Sequence, residues 1–229
     1  MPLPPRLSDA LVTPSPHVLY LHGFASSAHS TKGAYLSARL AEHGVALRCP
    51  DFNRPDFATL TITRMLDQIE QELRAIAPDR AAVVGSSLGG AVAILAADRF
   101  AERVDRVVLL APAVMFAKPG HHLLPPERVV EWRHRGALPF FHYGYGEERL
   151  LNVAFYDDSL KYDPFDARLS QPTLAFQGLR DQAVDPETVE QFARGRPNVT
   201  LSLVDDDHQL IASLPRIWNR MQPFLGLIA

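Results

Sequence analysis

A serine hydroxyl becomes an effective nucleophile only when a base takes its proton and a third group holds that base in the required tautomer. The pentapeptide Gly85-Ser86-Ser87-Leu88-Gly89 fits the pattern G-x-S-x-G, and it lies where an apolar run, Ala81–Val84, hands over to an apolar stretch from Leu88. On such a tight strand-to-helix turn a serine is held in strained geometry with its hydroxyl facing a cleft, and the flanking glycines remove side chains that would collide. Ser87 is therefore the expected nucleophile. Ser86 is the neighbouring alternative, but it sits one residue off the pattern, so its side chain should leave the turn elsewhere.

The acid is sought beyond a later apolar run, Thr173-Leu174-Ala175-Phe176, where two aspartates compete. Asp185 precedes Pro186, Glu187 and Thr188, the signature of an N-cap followed by proline at the first helical position, so a structural role already accounts for it. Asp181 has no such explanation and falls just past a strand's carboxyl end, where ligands bind in open α/β sheets. It is the preferred acid, with Asp185 supporting the loop. Of nine histidines only His208 lies after the acid, at the opening of the last helical pattern, so chain order makes it the base. Asp206 or Asp207 could cap that final helix. The nucleophile's successor, Leu88, should supply one backbone N–H to an oxyanion, and Phe24, in the turn His22-Gly23-Phe24, the other. His22 itself should brace that turn through hydrogen bonds.

Six short apolar runs supply the elements that position these groups: 18–21, 45–49, 81–84, 107–110, 173–176 and 199–204. Near-continuous runs of this kind suit parallel strands covered on both faces. Helical patterns separate most of them. Ile62, Met65, Leu66, Ile69, Leu73 and Ile76 form one stripe, and Pro78 stops it. Residues 88–98 are apolar nearly all round, and Leu210, Ile211, Leu214, Ile217, Trp218 and Met221 form a late stripe that Pro215 should bend or restart. Alternating strand and helix predicts an α/β sheet with right-handed crossovers. The alternation breaks at 113–168, 56 residues holding ten of the chain's twenty aromatics. A structureless loop of that length would be unusual. These residues are read as an inserted, mainly helical cap, with Glu127–Arg133 one helical stretch, on a core of residues 1–112 and 169–229.

Composition narrows the function classes. With 229 residues, 47% hydrophobic, and a formal charge of -3, the chain can bury a sizeable core and carries no basic nucleic-acid footprint. One cysteine excludes a disulfide framework and a cysteine-rich zinc site. The four cap histidines, His121, His122, His134 and His142, share no short motif with carboxylates, and Tyr143-Gly144-Tyr145-Gly146 lacks the strand–helix context of a dinucleotide fingerprint. No window reads as a membrane span, and the proline-punctuated residues 1–16, expected on the surface, do not read as a signal peptide. A cytoplasmic protein with no metal or organic cofactor is expected, acting on a small-molecule ester or thioester, with self-association through the cap open.

With these residues placed, the sequence resembles the α/β-hydrolase superfamily, and most of all its small bacterial esterase-like members of the YqiA type. The match is carried by Tyr20-Leu21-His22-Gly23-Phe24-Ala25-Ser26-Ser27, Ser30-Thr31-Lys32-Gly33 and Gly85-Ser86-Ser87-Leu88-Gly89-Gly90. The resemblance implies an α/β-hydrolase fold: a mostly parallel sheet with the nucleophile strand central, flanked by helices, with an inserted cap. It implies Ser87, Asp181 and His208 as catalytic triad and the Phe24 and Leu88 amides as oxyanion hole, the residues reached above. Hydrolysis of a carboxylic ester with an apolar acyl or aryl group leads; acyl-CoA-type thioester hydrolysis and a non-catalytic ligand-binding role on the same scaffold are the alternatives.

Overall fold

The computed structural model describes residues 15–116, 118 and 124–227. Most of the proline-punctuated start, and His121 and His122, lie outside the described residues. Six strands form one parallel sheet: β1 (His17–Leu21), β2 (Leu47–Arg48), β3 (Ala81–Ser86), β4 (Val104–Leu110), and, after the insertion, β7 (Thr173–Gly178) and β8 (Val199–Val204). Their order is β2-β1-β3-β4-β7-β8. Every expected strand is present, and β3 sits between β1 and β4, with Val84 in register with both Tyr20 and Val108.

The two faces of the sheet read the strand period directly. Val18, Tyr20, Ala82, Val84, Val108 and Leu110 point into one buried cluster; Leu19, Leu21, Ala81, Val83, Val107 and Leu109 point into the other. Successive side chains leave a strand on opposite faces, so an apolar run without alternation is what two covered faces require. Leu36 and Leu40 of α1 (Thr31–Ala41) and Ile217, Trp218 and Met221 of α7 (Leu214–Phe224) cover the first face. The second is covered by α2 (Ile62–Ala75), α3 (Leu88–Arg99) and α6 (Pro186–Arg194). The α2 stripe is buried as its spacing predicts, with Thr61 capping the helix by accepting from the Arg64 amide at 3.1 Å.

The last helix starts later than the apolar stripe suggests. Pro215 falls within its first turn, where a missing N–H costs no hydrogen bond, so Pro215 starts α7 rather than bending it. Neither Asp206 nor Asp207 caps it; its N-cap is Ser213. Between β4 and β7 lie α4 (Pro126–Arg135), a two-stranded antiparallel hairpin of β5 (Ala137–His142) and β6 (Glu147–Asn152), and α5 (Ala154–Ser159). The helical stretch expected at 127–133 is α4, and the hairpin stands beside the helices as an element the sequence reading did not anticipate. Trp132, Leu138, Leu151 and Phe155 join the second buried cluster, so the insertion packs on the face carrying α2 and α3.

Candidate active site

Ser87, Asp181, His208 and the turn at Phe24 follow β3, β7, β8 and β1, all at the carboxyl edge of one parallel sheet. That is where open α/β sheets form their clefts. Ser87 links β3 to α3 at φ 55° and ψ -120°, a conformation that costs a non-glycine residue about 1–3 kcal/mol. Its neighbours enforce it. The Ser87 amide donates to the Leu110 carbonyl at 3.0 Å, and its own carbonyl accepts from the amides of Gly90 and Ala113 at 2.9 and 3.0 Å. Two glycines make the turn sterically open: a Cβ on Gly85 would overlap the Gly89 carbonyl, and one on Gly89 the Leu21 carbonyl. Ser86 is the last residue of β3 and is buried.

The three side chains singled out from chain order meet. His208 Nε2 lies 3.0 Å from Ser87 Oγ, and His208 Nδ1 lies 2.8 Å from Asp181 Oδ2. A carboxylate can only accept, so Nδ1 carries the hydrogen, which leaves Nε2 free to accept from the serine hydroxyl. Asp181 accepts three further hydrogen bonds: its Oδ2 from Gln177 Nε2, and its Oδ1 from the Ala183 and Val184 amides, each at 2.8 Å. Burial pushes this carboxyl up, but the hydrogen bonds from His208, Val184 and Gln177 outweigh it and hold the group below the usual aspartate value. Asp185 caps α6, accepting from the Glu187 amide at 3.0 Å, in the structural role expected of it.

The loop after β1 packs against the serine: a Cβ on Gly23 would stand 3.2 Å from Ser87 Cβ. Neither the Phe24 nor the Leu88 amide donates to a protein acceptor among the described residues. His22 braces the loop as expected. Its Nδ1 donates to the Gly23 carbonyl at 3.0 Å, and its Nε2 accepts from the Phe52 amide at 3.2 Å, a pattern open only to the neutral ring. Burial, pushing its pKa down, favours that form. The Phe24 ring lies 5.5–5.6 Å from those of Phe57, Phe140 and Phe155, tying the loop to both core and insertion.

A cavity of about 460 Å³ opens on Ser87. Its wall is largely apolar, with Phe24, Met115, Phe116, Leu124, Trp132 and Phe155 prominent, and Gln182, Asp185 and Thr188 supply a polar side. Such a volume suits a small organic ligand. Lys118 pairs with Asp163, Arg128 with Glu131 at 2.5 Å and Arg133 with Asp157 at 2.6 Å. Among the described residues no group of three or more His, Cys, Asp or Glu could hold a metal ion, and no helix is long and apolar enough to cross a membrane.

Two supporting residues escaped the sequence reading. Gln177 is a wholly buried amide in β7 that donates to Asp181; the available signal was a polar residue closing an apolar strand four positions before the acid. His142, at the end of β5, is wholly buried and 2.9 Å from Asn53 Oδ1, while Asn53 Nδ2 donates to the Ser26 carbonyl at 2.9 Å. This chain clasps the hairpin to the loop that follows Phe24, and nothing local in the sequence announces it.

The parallel sheet, its helical layers and the insertion after β4 are those of the α/β-hydrolase fold. The chain belongs to the Uncharacterised protein family UPF0227, whose model matches residues 17–224. Among solved structures, Est1E from Butyrivibrio proteoclasticus with ferulic acid bound is 22% identical, with a TM-score of 0.78 over 92% of this chain and 88% of that one. Alpha/beta hydrolase domain-containing protein 10 from mouse is 20% identical, also at 0.78, covering 94% and 91%. A monoacylglycerol lipase of Paleococcus ferrophilus is 16% identical at 0.72, covering 93% and 95%. Among curated proteins, none matches the sequence.

Proposed function

We propose that the protein is a serine hydrolase cleaving carboxylic esters with an apolar acyl or aryl group. Ser87 is the nucleophile, His208 the general base and acid, and Asp181 the residue that fixes the imidazole tautomer. The observation that carries this reading is the continuous chain Ser87 Oγ–His208–Asp181, with separations of 3.0 and 2.8 Å, at the edge of an apolar cavity. A helix start, a strained serine and an imidazole facing its hydroxyl have a joint chemical use that no packing role requires.

The reaction proceeds by acyl transfer. His208 Nε2 takes the Ser87 proton as Oγ attacks the ester carbonyl, and the negative charge moves to the carbonyl oxygen. The free Phe24 and Leu88 amides stabilise that oxyanion, aided by the positive end of α3. Imidazolium then protonates the departing alcohol as the C–O bond breaks, leaving the acyl-serine. Water, deprotonated by His208, attacks the acyl-serine; the acid leaves and the serine regains its proton. In this reading residues 1–112 and 169–229 are the catalytic core, and 113–168 the cap that shapes the acyl pocket.

Esters are favoured over acyl-CoA thioesters because Lys118, Arg128, Arg133 and Arg135 of the insertion are each already paired with a carboxylate, which leaves them less suited to a phosphorylated carrier. Two structural neighbours agree in kind: one holds ferulic acid, an aryl acid, and another is named a monoacylglycerol lipase. A fluorophosphonate adduct located by mass spectrometry, with Ser87→Ala assayed beside a p-nitrophenyl ester chain-length series, tests the proposal. Labelling confined to Ser87 and turnover lost in the variant are expected. An unlabelled wild-type protein without turnover from neutral to mildly alkaline pH would overturn it.

A further inference from the structure

Lys32 is a costly residue where it stands. It is buried in the first turn of α1, so its charge is desolvated and also faces the positive end of the helix dipole. Its side chain reaches from α1 to the segment after β8, where Nζ donates to the carbonyl of Gln209 at 2.9 Å. Gln209 follows the proposed base directly. The negative charges that act on this ammonium come from two other loops: Asp206 and Asp207 ahead of His208, and Asp181 after β7. On its own helix the first turn holds no acid.

The loop needs such an anchor. It carries His208 between β8 and α7 without regular structure, and Leu210, wholly buried, takes a positive φ of 54°. At one end the Asp206 carboxylate accepts from the Asp207 and Ser213 amides, each at 2.8 Å. Lys32 supplies the tie across the middle.

We propose that Lys32 is a positioning residue, whose ammonium holds the Gln209 carbonyl and so keeps the His208 imidazole in line between Ser87 and Asp181. This rests on the hydrolase reading above. Burial pulls the lysine's pKa down to about 8, against the pull of the three aspartates, so the ammonium predominates in neutral solution and is lost as pH rises through about 8. A lysine whose folded pKa is depressed also makes the fold less stable below that pKa than a neutral side chain would. Position 32 should therefore trade stability for activity.

The test compares wild type, Lys32→Met and Lys32→Arg by p-nitrophenyl ester kinetics from pH 6 to 10, with thermal melts and fluorophosphonate labelling. For Lys32→Met, kcat is expected to fall about ten- to a hundred-fold with KM within two-fold, the size of loss that follows a small misplacement of a reacting group. Its melting temperature should hold or rise, and Ser87 should still label, more slowly. The wild-type profile should show an alkaline fall with a midpoint near 8 that Lys32→Met lacks. Lys32→Arg, charged throughout, should recover part of kcat with no fall near 8.

Unchanged kcat and an unchanged alkaline fall in Lys32→Met would overturn the proposal, as would a loss of activity that tracks a loss of folded protein. Should Lys32→Met not fold, a Lys32→Arg variant with the kcat and the pH profile of wild type from pH 6 to 10 would overturn it alone. If wild type neither labels nor turns over, the hydrolase reading fails and this inference with it; labelled wild type with an indifferent Lys32→Met refutes only the latter.

Discussion

Replacing Asp181 with asparagine should leave a folded protein with the base in the wrong tautomer. The carboxylate accepts from donors on both oxygens: the Ala183 and Val184 amides at Oδ1, and Gln177 Nε2 and His208 Nδ1 at Oδ2, all at 2.8 Å. An asparagine has one oxygen and one NH₂ to offer. If the oxygen faces His208, the NH₂ meets two backbone N–H groups that cannot accept. The oxygen therefore turns to the Ala183 and Val184 amides, and the NH₂ faces His208. His208 Nδ1 then has to accept, which places the ring hydrogen on Nε2, opposite the serine that needs a base. Loss of the correct tautomer in a triad of this design costs about 10⁴ in rate, or about 5 kcal/mol of transition-state stabilisation. The ground-state cost is smaller: the charged hydrogen bonds lost are worth about 1.5–3 kcal/mol. Kinetics of p-nitrophenyl ester hydrolysis for wild type and Asp181→Asn, with a thermal melt of each, read the two effects separately. A kcat within ten-fold of wild type at an unchanged melting temperature would refute the tautomer argument and remove Asp181 from the mechanism.

Asp158 should pin the insertion to the core in a pH-dependent way. Burial raises its carboxyl, but the Lys161 ammonium and the Thr63 amide and hydroxyl, at 2.7–2.8 Å, more than reverse this, so the folded pKa lies below the ordinary value. The stability it adds is complete above the unfolded carboxyl pKa and is lost as pH falls through the folded one; Asp158→Asn should cost about 1–3 kcal/mol at pH 7 in urea melts, with a smaller deficit in strong acid. Trp132→Ala removes a ring that is almost wholly buried and the donor to the Leu151 carbonyl at 2.8 Å. It should destabilise by about 3–5 kcal/mol and, because Trp132 lines the cavity, move the ester chain-length optimum upward; an unmoved optimum would deny it that wall. Gly89→Ala forces a methyl group onto the Leu21 carbonyl and should cost about 3 kcal/mol or more by chemical denaturation.

What the sequence made legible follows from which contacts are local. The six strands stood out because both faces of the sheet are covered, which writes unbroken apolar runs such as Val107–Leu110 into the chain. Helix α1 leaves no such mark: its buried residues are Lys32, Gly33, Leu36 and Leu40, too few apolar ones to make a stripe. The hairpin of β5 and β6 was hidden for a similar reason. Pro139 interrupts one strand, Glu147-Glu148-Arg149 opens the other, and the turn 143–146, with Gly146 at φ 72°, holds no Asn-Gly or Asp-Gly pair to mark a hairpin. That Ser87, Asp181 and His208 would meet was readable because parallel topology brings every strand's carboxyl end to one edge, so order along the chain becomes proximity in space. Lys32 had no such route. Its partner is a backbone carbonyl 177 residues away, an acceptor every residue carries, and no residue type at position 209 marks it. Side chains proposed for chemistry can be picked by type; a side chain whose partner is a backbone atom emerges only when the chain is folded.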